Sequence, residues 1–313
     1  MSIIKNNCMI WILLFHLLSC QPPESEQQSS GITVVEGYEF NYQLAEPDQE
    51  FELPDELEEI SGLGLSPDGN TLVAVQDEDG ELFFINRYNG EMIAEFDFWD
   101  DGDYEGVEFV GENVYVVKST GTLYEVLRPG TDEQEVNKYN YFLNDDNDVE
   151  GLAYDAANNR LLLACKADAG YDDKGFPRKK AIYGFDLSKK EMEEKPAYFV
   201  ALDSVQHYLQ QGPAIRKVEK VMEFFNPEEE FGFSPSAIAI HPLTGNLYIT
   251  SSVGKMLLVM RRDGQILHIE KLSKRVHPQP EGLCFDAQGN LFISNEGKGM
   301  DPVIYRFNYK PRH

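Results

Sequence analysis

Pro280 to Glu296 reads PEGLCFDAQGNLFISNE. A Glu-Gly pair opens it, alternating apolar residues follow, then Asp286-Ala287-Gln288-Gly289-Asn290, then a second apolar run. Four versions of this stretch lie upstream: ISGLGLSPDGNTLVAV at Ile60–Val75, YEGVEFVGENVYVV at Tyr104–Val117, VEGLAYDAANNRLLLA at Val149–Ala164 and PSAIAIHPLTGNLYIT at Pro235–Thr250. The first polar residue of the five copies is Ser61, Glu105, Glu150, Ser236 and Glu281, at intervals of 44, 45, 86 and 45 residues. A period of about 45 residues is that of a propeller blade, a four-stranded sheet repeated around a channel.

Each copy reads as strand, tight turn, strand. Leu283, Phe285, Leu291 and Ile293 alternate as half-buried strands do. Asp68-Gly69-Asn70 and Gln288-Gly289-Asn290 supply the residues that turns with positive φ require. The first strand of a propeller blade is the innermost. The five aligned positions are therefore expected to ring one end of the channel, with Glu105, Glu150 and Glu281 converging there.

The interval of 86 residues calls for an insertion or a hidden blade. Ile215, Val218, Met222 and Phe225 recur at helical spacing with charged residues between them, and Gly212-Pro213 is a break. No pair of alternating strands is present, so the blade count is five. The last repeat supplies only three strands, at 281–286, 290–294 and 302–309, and the amino-terminal segment 38–53 is the natural fourth. The expected partners are Phe40–Leu44 and Tyr305–Asn308; such closure removes two sheet edges. The sequence thus predicts an all-β, five-bladed β-propeller over residues 36–310, closed by an N-terminal strand. A helical insertion at about 203–225 is expected between blades three and four. The hydrophilic stretch Asp168 to Lys180 in blade three reads as a solvated loop.

Residues 1–19 read as a signal peptide: Lys5 is the only charged residue before Glu24, and Met9 to Leu18 is apolar but short for a membrane span. Leu17-Leu18-Ser19-Cys20 resembles a bacterial lipobox, which makes Cys20 the expected lipidation site; an ordinary secretory signal is the alternative. Residues 20–35 form a polar tether. A monomer held at the cell envelope by its lipid is the expectation. Loss of Lys5 leaves 54 acidic against 26 basic residues, net −28. That balance argues against nucleic acid, which needs a basic footprint. Cys165 and Cys284 fall in apolar strands and read as buried small hydrophobes. With no CxxC or Cys/His cluster, zinc is not expected.

Hard divalent cations take oxygen ligands, calcium six to eight of them. Three glutamates at one channel mouth suit that demand, and without a cation they would repel or stay protonated. Ser61 and Ser236, at the same register, are expected to be weaker ligands or to act through water. A second tier, Asp77 and Glu78 with Asn295 and Glu296, ends the second strands of blades one and five. It is expected near the opposite end of the channel, as further ligands or channel lining.

Glu59-Ile60-Ser61-Gly62-Leu63, Gln76-Asp77-Glu78, Tyr104-Glu105-Gly106-Val107, Val149-Glu150-Gly151-Leu152, and Gln279-Pro280-Glu281-Gly282-Leu283 with Asn295-Glu296 form an ordered set. The chain resembles the SdiA-regulated family in these motifs, over roughly residues 38 to 310. The resemblance implies a five-bladed propeller with a calcium site near the axis, distantly akin to NHL-repeat proteins, and no settled activity. Two function classes follow. One is a binding or scaffold module for a glycan, peptide, protein or small molecule. The other is a calcium-dependent hydrolase, by analogy with lactonases, esterases or phytases whose axial cation polarises a carbonyl or phosphate. No GxSxG motif is present. The lactonase analogy would want a histidine near the metal, and His277, four residues before Glu281, is the candidate.

Overall fold

Five short β-sheets, each begun by one copy of the repeat, follow one another along the chain. The computed structural model describes residues 38–211, 218–222, 225 and 232–311. The proposed signal peptide, Cys20, the tether, Gly212-Pro213 and Ile215 lie outside the described residues. Blade one is β2 (Ile60–Leu65), β3 (Thr71–Gln76), β4 (Glu81–Asn86) and β5 (Met92–Asp97). Blade two is β6 (Tyr104–Val110), β7 (Asn113–Lys118), β8 (Leu123–Leu127) and β9 (Glu135–Tyr139). Blade three is β10 (Val149–Asp155), β11 (Arg160–Cys165) and β12 (Lys179–Asp186), with an outer edge in two pieces, β13 (Glu191–Met192) and β14 (Tyr198–Ala201). Blade four is β15 (Pro235–Ile240), β16 (Leu247–Ser251), β17 (Met256–Met260) and β18 (Ile266–Lys271).

Blade five joins the chain ends. Its β19 (Pro280–Phe285), β20 (Leu291–Asn295) and β21 (Val303–Phe307) are completed by β1 (Gln49–Glu52). Closure by an amino-terminal strand holds, but the strand is not Phe40–Leu44. Gln49 pairs with Arg306 and Glu52 with Val303. The earlier segment serves as a strap instead. Tyr42 and Leu44 are buried in the core of blades four and five. The Tyr42 hydroxyl donates to the Gly289 carbonyl at 2.6 Å. Tyr42 and Leu44, facing a ready-made apolar seam, bury more there than they would on an edge strand.

The inner strands touch in sequence, β2 to β6, β10, β15, β19 and back to β2, so the ring is closed. Glycine after the aligned polar residue makes this approach possible. A Cβ on Gly62 would stand 2.8 Å from Val107 N and 2.9 Å from Gly106 Cα; one on Gly106 would stand 2.8 Å from Leu152 Cβ. The repeat turns behave as their residues require, with φ of 71° at Gly69 and 84° at Gly289.

Among the described residues, two helices, α1 (Leu202–Gln211) and α2 (Val218–Met222), lie between blades three and four. Val205, Tyr208 and Leu209 of α1, with Val221 and Phe225, pack into the shared core of those blades. Met222, read from sequence as part of the apolar face, is 44% exposed; Val221 is the buried residue instead. The longer described helix is α1, in the first half of the predicted insertion. Cys165 and Cys284 are free and buried.

Candidate cation site at the channel mouth

Every first strand begins with the same irregularity. The pairing with the second strand slips between Ile60 and Gly62, Tyr104 and Gly106, Val149 and Gly151, Pro235 and Ala237, and Pro280 and Gly282. The extra residue of each bulge is Ser61, Glu105, Glu150, Ser236 or Glu281. A bulge re-aims one side chain out of the pleat. Glu105, Glu150 and Glu281 accordingly border one axial cavity, walled by Gly106, Ile238 and Gly282 among others and about 10 Å³ in volume. That is room for about one water-sized occupant.

The serines at the same register do not line this cavity. Ser61 Oγ donates to the Glu59 carbonyl at 3.1 Å, and Ser236 Oγ to the Pro280 carbonyl of the next blade at 2.8 Å. The second tier is also placed differently from expectation. Ile60 pairs with Gln76 and Pro280 with Asn295, so the second strands end at the mouth where the first begin. An antiparallel hairpin returns the chain to its starting level. Asp77 and Glu296 therefore stand near the glutamates, whereas Glu78 is exposed. Asn295 is fully buried with neither side-chain amide atom hydrogen-bonded, and Asp77 Oδ1 is buried without a partner.

The electrostatics are those of carboxylates crowded out of water. Burial first, then Glu150 and a hydrogen bond with Asp103, pushes Glu105 up to about 10. Glu150 is raised well above the usual range by burial and by Glu281. Glu281 is raised to about 7 by burial and Glu296, and Asp77 to about 6 by burial and Glu59.

Two lysines that sequence reasoning passed over enter the site. Lys166 Nζ bonds the Glu150 carboxylate and lies 3.4 Å from Asp148. Against the lowering effect of burial, Glu150 and Asp148 hold its pKa up. Lys255 donates to Gln279 Oε1 at 2.7 Å, and Gln279 Nε2 donates to Glu281 at 2.6 Å. The signal for Lys166 was register: it follows Cys165, paired with Val149, as Asp77 follows Gln76 and Glu296 follows Asn295. His277 is not at the mouth; it is buried, with Nε2 2.9 Å from the Leu44 carbonyl.

The donors are all oxygen, which fits a hard cation. Among the described residues, no three Asp, Glu, His or Cys side chains stand close enough as they are to hold a metal ion. The ammonium of Lys166 supplies the local positive charge.

The SdiA-regulated family model matches residues 38–170 and 192–307. Among solved structures, Myxococcus xanthus glutaminyl cyclase is similar at a TM-score of 0.54 and 11% identity, covering 86% of this chain and 97% of that one. A streptogramin B lyase is similar at a TM-score of 0.45 and 10% identity, covering 83% and 96%. At 11% identity the likeness to the glutaminyl cyclase extends to the propeller fold alone. By the family match, the chain belongs to the SdiA-regulated family.

Proposed function

We propose that this propeller binds one calcium ion at its channel mouth through Glu105, Glu150 and Glu281, and acts as a binding or scaffold module tethered by lipid to the bacterial cell envelope. The observation that carries the calcium reading is the meeting of three bulge glutamates, from blades two, three and five, at one axial cavity. Buried carboxylates that feel one another's charge are tolerable when protonated, paired or bound to a cation. Calcium binding there requires Lys166 to give up Glu150 and the carboxylates to close on the cavity. Calcium's flexible coordination accommodates such a set more readily than magnesium's strict octahedron. Asp77 and Glu296 extend the negative mouth, and Lys255 through Gln279 orients Glu281.

Calorimetric titration of metal-stripped protein tests this. Wild type is expected to bind calcium with a melting temperature that rises reversibly, by the equivalent of about 2.7 kcal/mol at a hundredfold excess over Kd. Glu150→Gln keeps the shape and should weaken binding at least tenfold. Equal affinity in wild type and in the Glu105, Glu150 and Glu281→Gln variants would remove the glutamates as ligands. The lipid anchor is supported by the lipobox-like Leu17-Leu18-Ser19-Cys20. Cys20→Ala is expected to move the protein out of the membrane fraction, and mass spectrometry to find the wild-type lipid on Cys20.

A further inference from the structure

A second cavity lies on blade three, not on the axis. It measures about 510 Å³ and sits where the loop joining β11 to β12 folds over the start of β12 and Leu202. Sequence reasoning had assigned this insertion to solvent. The loop is instead held in place. The Asn147 amide, fully buried, donates to the carbonyls of Asp168 and Gly170 at 2.9 and 2.6 Å. Tyr171 stacks on Phe142 with ring centroids 3.9 Å apart and donates its hydroxyl to the Glu194 carbonyl at 3.0 Å. Lys180, buried at the cavity floor, donates to the carbonyls of Lys166 and Ala167. A loop anchored at both ends around a space of this size is built like a small-molecule pocket, which typically spans about 300–1,000 Å³.

The walls define the ligand. Asp146, Asp168 and Asp172 line the cavity as exposed carboxylates, and no described side chain is seen to bond them. The basic residues of the wall already have partners. Arg178 pairs with Asp203 at 2.7 Å, the Lys174 ammonium bonds the Tyr171 hydroxyl, and the Lys179 ammonium lies 4.7 Å from the centre of the Phe199 ring. An anionic ligand would have to compete for these cations, and a strongly cationic one would meet them beside the carboxylates. A neutral ligand that donates many hydrogen bonds meets neither obstacle. Phe176, half-buried and tilted against Phe199 with centroids 4.9 Å apart, adds an aromatic surface to the same cavity. Ring hydroxyls that donate to carboxylates and accept from the spare N–H groups of Arg178, with a C–H face against an aromatic ring, describe a pyranose.

We infer that this blade-three cavity binds a neutral or N-acetylated saccharide of one or two hexose units. The inference rests on the chain being a binding module but is independent of the axial cation. The test probes the full chain against an array of gluco-, galacto-, manno- and N-acetylglucosamine-type mono- and disaccharides, with calcium and with chelator. The best saccharide is then titrated calorimetrically into wild type, Phe176→Ala and an Asp168→Asn, Asp172→Asn double variant. The expected result is a loss of at least tenfold in affinity in both variants at unchanged melting temperature. Saccharide affinity should be the same with calcium and with chelator, which separates this inference from the axial calcium reading. Absence of saccharide binding by wild type, or equal affinity in all proteins, would overturn it.

Discussion

Glu105, Glu150 and Glu281 owe their position to a one-residue register slip and their chemistry to burial. The sign of their pH response follows from their raised pKa values. A carboxyl whose folded pKa lies above its unfolded value stabilises the fold fully at low pH, and that contribution is lost as pH rises through the folded value. Calcium-free protein is therefore expected to lose melting temperature from about pH 4.5 upward, through the value of about 7 for Glu281. Calcium should flatten the decline, because it favours the ionised form and binds with proton release. Melting curves at pH 5 and pH 8, with and without calcium, check this; a calcium-free protein more stable at pH 8 contradicts it. The neighbouring glycine has an equally local reason. A Cβ at Gly106 would meet Leu152 and Val117. Gly106→Ala is expected to cost about 1–3 kcal/mol by overpacking, read as a lower urea midpoint. Ala237, which stands at this position in blade four, shows that one blade accommodates the methyl group.

At the scale of the element, blade five is the weak point of the ring, because its outer strand comes from the other end of the chain. Four residues, Gln49–Glu52, make the pairing. The strap before them adds Tyr42, Leu44 and the contact from His277 to the Leu44 carbonyl. Burial and loss of water hold His277 near a pKa of about 4, so the contact is made by a neutral ring at pH 7. Removing residues 38–53 exposes the β21 edge and the apolar seam together. The truncated protein is expected to aggregate or melt non-cooperatively; a cooperative transition at the parent's temperature would show that β1 does not close the ring. The insertion helices behave as the sequence indicated in position, not in detail. Apolar spacing locates a face only when the neighbouring surface is known, which is why Met222 is outside and Val221 inside.

Across the whole molecule, the blades are tied at both ends of the channel. Away from the mouth, Arg262 of blade four reaches Asp155 of blade three at 2.7 Å, and Arg87 of blade one reaches Asp286 of blade five at 2.7 Å. Burial opposes the charge on Asp155, but hydrogen bonds from Asn158 and Arg262 hold its pKa below the ordinary carboxylate value. Near the mouth, Ser236 bonds the backbone of blade five. The repeat period, the turn residues and the alternation of apolar side chains are properties of neighbouring residues, and they determined by themselves the blade count, the closure by chain ends and the common register of the three glutamates. Which residues form the closing strand, how Lys166 and Lys255 come to stand beside those glutamates, and that the blade-three insertion encloses a cavity were decided by the tertiary structure. Each depends on contacts between segments far apart in the chain, where the energy of burial and charge pairing is set by what lies across the seam and not by what is adjacent in sequence.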